Sequence, residues 1–149
     1  MPENICINTI LEIRKLSRFL DKYSKYLDNH YNVTLPQMLC LYEINMRGTM
    51  NLTELTKLIN LNNSAITGIV DRLEAKGYVI RVKKPGDRRT VYLEITPNGK
   101  EYTAALVNAM DRENVFHTKT SPSSLNVLDM IKQITSSLDP EIKNIELPA

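Results

Sequence analysis

VIRVKKPGDRRTVYLEIT, residues 79–96, decides how the rest of this chain is read. Apolar and polar residues alternate on both sides of Pro85-Gly86-Asp87: Ile80 and Val82 against Arg81 and Lys83, then Val91, Leu93 and Ile95 against Tyr92 and Glu94. A period of two marks half-buried antiparallel strands, and Pro-Gly-Asp is turn chemistry. The stretch is therefore expected to form a β-hairpin, and its tip is basic. Between residues 81 and 89, Arg81, Lys83, Lys84, Arg88 and Arg89 face Asp87 alone, a local excess of +4 in a chain whose net charge is +2. The remainder is slightly acidic, so any role for positive charge rests on the hairpin.

Immediately upstream, residues 63–76 follow a helical period. Ile66, Ile69, Val70 and Leu73 fall on one stripe, and Ser64, Thr67, Gly68, Asp71 and Arg72 on the other side. Gly77 stands where a left-handed backbone ends a helix. Asn62, Asn63, Ser64 and Thr67 put short hydrogen-bonding side chains at the start of that exposed face. Asn can pair bidentately with adenine, and Ser or Thr can meet base edges or phosphates. Gly68 would permit close approach, and Arg72 extends the same face. A helix of this kind followed by a basic hairpin is the layout of a winged helix-turn-helix, which sets the helix in a DNA major groove and the hairpin near the minor groove. Lys83, Lys84 and Arg88 are expected to meet phosphates, and Arg89 to suit a narrow A·T-rich minor groove. Asp87, two residues before Arg89, is placed to pair with its guanidinium and hold it extended.

Working outward, residues 5–30 read as one long helix. Ile10, Ile13, Leu16, Leu20, Tyr23 and Leu27 recur at spacings of three and four, with Arg14, Lys15, Arg18, Lys22 and Lys25 interleaved. A restart at Thr34-Leu35-Pro36 suits a cap with proline in the first turn. The helix that follows runs through Leu39, Tyr42 and Ile44 to near Gly48. Asn51 and Glu54 have capping-box spacing before a short helix that buries Leu55, Leu58 and Ile59. After the hairpin, Thr96-Pro97 opens a helix to about Asn114. Ser121-Pro122 repeats the device before a last helix bearing Leu125, Leu128, Ile131, Ile134 and Leu138. Residues 117–124 are the one polar linker.

The expected fold is mainly α, of the α+β class, in the order α-α-α-α-β-β-α-α. It is read as a single domain over 1–149 with a winged-helix core at 35–96 and a two-stranded wing. The N- and C-terminal helices, 1–31 and 97–138, carry apolar stripes with no sheet to cover, and a second copy of the chain would bury them as a dimerisation part.

Several residues carry a resemblance. Asp87-Arg88-Arg89 with Ile95-Thr96 fits the wing signature D-x-R-x(5)-[L/I]-T of the MarR (multiple-antibiotic-resistance regulator) family. Leu73-Glu74-Ala75-Lys76-Gly77-Tyr78-Val79, Leu52-Thr53-Glu54-Leu55 and Val33-Thr34-Leu35-Pro36-Gln37 also resemble that family's habits, so the likeness covers nearly the whole chain. It implies an obligate homodimer that binds a short palindrome in double-stranded DNA and lets go when a small ligand or oxidant acts. By the same match Arg89 enters the minor groove, Asp87 orients it, and Asn62, Asn63, Ser64 and Thr67 face the major groove. One branch of the family senses peroxide through a cysteine about one turn beyond Cys6. This chain has Ile10 there.

Other features bound the function. The two cysteines, Cys6 and Cys40, belong to no CxxC or Cys/His cluster, so neither structural zinc nor a disulfide scaffold is expected. No GxSxG, P-loop, HExxH or other enzyme constellation is present, and no cofactor is implied. No apolar run approaches the ~18 residues of a membrane span, and the N-terminus lacks a signal-peptide pattern, so a cytoplasmic location is expected. Tyr23, Tyr26, Tyr31 and Tyr42 cluster early. Their hydroxyls would suit an aromatic or carboxylate-bearing effector, although core aromatics of an amphipathic helix explain them as well. His30 sits near a helix C-terminus, where a charged imidazole suits the dipole, and His117 falls in the linker. The sequence thus points to a DNA-binding transcriptional regulator, in particular a ligand-responsive repressor. Two alternatives remain open: a sequence-tolerant architectural DNA-binding protein and a winged-helix module for protein contacts.

Overall fold

The computed structural model describes residues 3–116 and 124–138, which divide into two units, 1–107 and 108–149. Helices α1 (Ile5–Tyr31), α2 (Leu35–Arg47), α3 (Leu52–Ile59) and α4 (Asn63–Ala75) precede strands β2 (Val79–Lys84) and β3 (Asp87–Ile95). Helices α5 (Pro97–Glu113) and α6 (Ser124–Ser137) follow, and a two-residue strand β1 (Met50–Asn51) lies between α2 and α3.

Polar side chains punctuate the chain where the helices begin. Asn4 caps α1, accepting from the Ile7 N–H at 3.0 Å. Thr34 and Gln37 form a complete capping box at α2, as do Asn51 and Glu54 at α3. Thr96 Oγ accepts from the Gly99 N–H at 3.0 Å and donates to the Gly77 carbonyl at 2.6 Å, so one hydroxyl caps α5 and ties it to the end of α4. Gly77 follows the α4 cap residue Lys76 with φ +78°, the left-handed geometry expected of it.

The sheet order is β1-β3-β2, all antiparallel. Two corrections to the sequence reading follow. First, the sheet has three strands, because Met50 and Asn51 pair with Leu93 and Tyr92. Second, the phase of β2 is the reverse of the one expected. Val79 is buried while Ile80 is 44% exposed. Arg81, not Ile80 or Val82, stands opposite the buried Leu93. A one-residue change of phase moves every side chain of a strand to the other face.

The core of the first unit gathers Cys40, Leu41, Ile44, Leu55, Ile66, Val70, Leu73, Val79 and Leu93 around the α2–α3–α4 corner and the inner face of the sheet. Cys40 behaves as a small core residue: burial pushes its thiol pKa up to about 12, so it stays protonated and unreactive. Gly99 is required by packing. A Cβ there would stand 2.2 Å from the Tyr78 carbonyl oxygen and 2.8 Å from Ile95 Cγ1. From α1 only Tyr23 and Leu27 are buried; Ile10, Ile13, Leu16 and Leu20 of the expected stripe remain exposed.

In the second unit, Leu128, Ile131 and Ile134 of α6 and Leu138 just after it are exposed. The Ser121-Pro122 helix start, His117, most of the 117–124 linker and the Leu125 side chain lie outside the described residues.

Candidate nucleic-acid interface

Helix α4 is held by its apolar stripe. Ile66, Val70 and Leu73 are buried and Ile69 is half-buried. This anchoring turns Asn63, Ser64, Thr67, Gly68, Asp71 and Arg72 to solvent. Within that face the side chains divide by what they already bond. Asn62 is the N-cap: its Oδ1 accepts from the Ala65 N–H at 2.8 Å and from the Ser64 hydroxyl at 2.9 Å. The acceptor needed for bidentate pairing with adenine is thus engaged in starting the helix, and Asn62 serves first as a cap. The Thr67 hydroxyl donates weakly to the Asn63 carbonyl at 3.3 Å, leaving its lone pairs outward. The side chains of Asn63 and Arg72 make no hydrogen bond or ion pair among the described residues. Gly68 is exposed, and a Cβ there would meet nothing within 4 Å. The protein's own packing therefore gives no reason for a glycine at this point of a helix, where alanine would be favoured.

The wing turns at Pro85-Gly86, with Gly86 at φ +85°, the proline and positive-φ glycine pairing of a type II turn. Lys84 pairs with Asp87 across it, and the register shifts between Val82 and Lys84: Lys83 alone stands opposite residues 88–91, so the irregularity lies in β3. Asp87 corrects another expectation. No ion pair joins its carboxylate to the Arg89 guanidinium. Instead Asp87 Oδ1 accepts the backbone N–H groups of Arg89 and Thr90, each at 3.1 Å. These bonds, that of Thr90 foremost, hold its pKa below the usual 3.8. Asp87 thus orients the backbone that carries Arg89, not the guanidinium itself. Arg88 and Arg89 are exposed at the tip, and the Lys84 ammonium lies 4.0 Å from the centre of the Tyr92 ring.

Arg81, counted in the basic run, is not part of the tip. Its Nη1 donates to Glu74 at 2.7 Å and its Nη2 to Asp71 at 2.5 Å. The signal was present in the sequence as two acids one turn apart on the exposed side of α4, with an arginine just past the turn.

A second group of bonds ties the far end of α4 to α1. Lys76 Nζ donates to the Asn32 carbonyl at 2.5 Å and to Gln37 Oε1 at 3.2 Å. Tyr102 stacks on Tyr78 with centroids 4.4 Å apart, and its hydroxyl donates to the Tyr31 carbonyl. Burial pushes the Tyr102 pKa up to about 12, so that hydroxyl remains a donor. Of the tyrosines marked as effector candidates, Tyr23 and Tyr26 stack with Phe19 and His30 along α1, and Tyr31 meets Tyr26 edge-on. No cluster of three or more His, Cys, Asp or Glu that could hold a metal occurs among the described residues, and none of their helices is long and apolar enough to cross a membrane.

Comparison with known proteins places this geometry. A family model, the MarR family, matches residues 33–91, from the start of α2 through the wing tip. The multiple antibiotic resistance protein MarR of Salmonella typhimurium is 34% identical over 86 residues, 58% of this chain and 57% of that protein, so the match spans little more than half of the relative. Among solved structures, Bordetella bronchiseptica BpsR, described for regulation of its DNA binding by 6-hydroxynicotinic acid, superimposes with a TM-score of 0.73 at 19% identity, over 93% of this chain and 100% of that one. A mutant of E. coli MarR complexed with operator DNA gives 0.70 at 22% identity, over 92% and 100%. At these identities the likeness is one of fold.

Proposed function

We propose, from the match of residues 33–91 to the MarR family model and the geometry above, that this chain is a MarR-family, sequence-specific DNA-binding transcriptional regulator that acts as a homodimer on a pseudo-palindromic operator and as a repressor relieved by a small molecule. The observation that carries this reading is the pairing of two uncovered surfaces in one unit. The α4 face with Asn63, Ser64, Thr67, Gly68 and Arg72 points outward, and the wing tip with Lys83, Lys84, Arg88 and Arg89 projects beside it. Neither surface is consumed by the fold, whereas nearly every residue behind them is.

The chemistry divides between the two. Asn63, Ser64 and Thr67 offer donors and acceptors for base edges in the major groove. Lys83, Lys84 and Arg88 supply phosphate contacts, and Arg89 reaches for the minor groove from a backbone held by Asp87. Two copies related by a two-fold would set their α4 helices about 34 Å apart, one turn of DNA. The exposed Ile10, Ile13, Leu16 and Leu20 of α1 are the surface a second copy would cover. The operator complex of the E. coli relative supports DNA as the partner, and the 6-hydroxynicotinic acid response of BpsR supports a small aromatic acid as the class of effector.

The test is selection of bound sequences from a random duplex library, followed by salt titration of the enriched sequence with the unsubstituted chain and with Arg89→Ala. One enriched palindrome is expected. Arg89→Ala should weaken binding most at A·T-rich outer positions and flatten the slope of log K against log salt by roughly 1.8, about 0.9 for each protomer. Binding without enrichment would favour the architectural alternative. Absence of binding at low salt would favour a protein-contact module.

A further inference from the structure

Building on the DNA-binding reading, we infer that Arg81 is a positioning residue that fixes the wing against the recognition helix through Asp71 and Glu74, and is not one of the cations that meet phosphate. Arg81 leaves β2 opposite the buried Leu93, so its stem starts on the inner face of the sheet. Its side chain is 28% exposed, against 60% and 41% for those of Asp71 and Glu74. The two terminal nitrogens go to different carboxylates, at 2.5 and 2.7 Å, on residues three apart along α4. A guanidinium is a rigid planar fork, and two anchor points one turn apart on a helix constrain how that helix is rotated relative to the strand.

The buried stripe Ile66, Val70 and Leu73 seats α4 on the core, and Arg81 adds a polar tie from the helix's exposed side. Between α4 and β2 the chain has only Lys76, Gly77 and Tyr78, and the register of the hairpin slips just beyond, at Lys83. The acids also belong to the reading face, since Ser64, Thr67, Asp71 and Glu74 succeed one another at spacings of three and four. Two carboxylates there are a liability beside phosphate unless they do something else. Holding Arg81 is what the structure shows them doing.

This assignment makes a prediction of unusual sign. Asp71→Asn with Glu74→Gln removes two negative charges from a DNA-facing helix, which by charge alone strengthens binding. If the two acids serve to hold Arg81, the same change weakens binding to the selected sequence by about five- to tenfold, while binding to a scrambled duplex holds or tightens. Arg81→Gln is expected to lower specific affinity to the same degree with its salt slope unchanged. Adding it to the double variant should cost nothing more, because the interaction is already gone. Arg81→Lys keeps the charge without the fork and should also fail to restore specific affinity. It serves as the second variant if Arg81→Gln does not fold, as judged by thermal melting.

The measurement is the affinity of the full chain and these variants for both duplexes across salt. Tightening of Asp71→Asn/Glu74→Gln on both duplexes, a slope reduced by about 1.8 (about 0.9 for each protomer) in Arg81→Gln, or wild-type affinity in Arg81→Lys would each overturn the positioning role. No binding of either duplex by the unsubstituted chain would overturn the DNA-binding reading, and this inference with it.

Discussion

In the winged core, Leu41, Ile44, Leu55, Val70, Leu73 and Leu93 have no exposed surface; in α1 ahead of Tyr23, Ile10, Ile13, Leu16 and Leu20 remain 42–57% exposed. Both regions are amphipathic, and both follow the same helical arithmetic. The difference lies in what is available to cover them. Three short helices and a small sheet can close on one another, and no buried side-chain nitrogen or oxygen among the described residues lacks a partner. A helix of 27 residues reaches well past a core of that size, and only its last turns, at Tyr23 and Leu27, are buried. The core is therefore complete within one chain, while the part of α1 ahead of Tyr23 keeps an uncovered apolar stripe.

Three substitutions and one acid response would break or sharpen that contrast. The largest effect on folding is expected within the core. Leu93→Ala empties a site between β1, β2 and the helices, and should cost about 2–5 kcal/mol in urea unfolding. A loss well under that would mean the sheet is not integral to the core. Gly68→Ala should act in the opposite direction on stability. With open space around the added methyl, the helix gains about 0.5–1 kcal/mol, read as a higher Tm. The same change should lower DNA affinity, because the methyl lies on the reading face. A variant that is more stable and binds equally well would show that α4 does not press this face on DNA.

Leu16→Glu should change folding of the winged core by no more than about 0.5 kcal/mol. It should nevertheless shift the sedimenting species from dimer to monomer. A dimer unaffected by a charge at that point would remove the α1 stripe from the interface. Smallest is the acid response of the wing. The folded pKa of Asp87 lies below the ordinary 3.8, so its stabilising contribution is complete above that value and is lost as pH falls through the lower folded one. Exchange protection of the Arg89 and Thr90 amides should follow the same window. Loss of protection already near neutral pH would contradict the role assigned to that carboxylate.

How far sequence reasoning reached depended on how redundant each signal was. Helix α4, its glycine terminator and the hairpin each rested on several residues agreeing, and each stands where expected. The capping boxes at Thr34 and Asn51 were readable because three-residue spacing is a local property. Strand β1 was missed because two residues show no alternation, and its pairing with β3 is made across more than forty positions of chain. The phase of β2 was misread because Val79, Ile80 and Val82 fit either face. The choice fell to Arg81, whose stem can cover apolar surface while its head reaches an acid. Asn62 caps α4, a role that its place just before the helix marks in the sequence beside the base contact expected of it. Asp87 was expected to bond a side chain when two backbone donors were nearer.

The most direct test of the account joins its two halves. On the selected operator, affinity is measured before and after inserting about five base pairs, half a turn, between the half-sites. Two cores held at a fixed distance by paired α1 helices predict a sharp loss of affinity for the unsubstituted chain. For Leu16→Glu, whose weaker binding comes from separate copies, they predict no dependence on spacing. Equal affinity of the unsubstituted chain for both spacings would contradict the claim that the closed core reads DNA as one of a rigid pair.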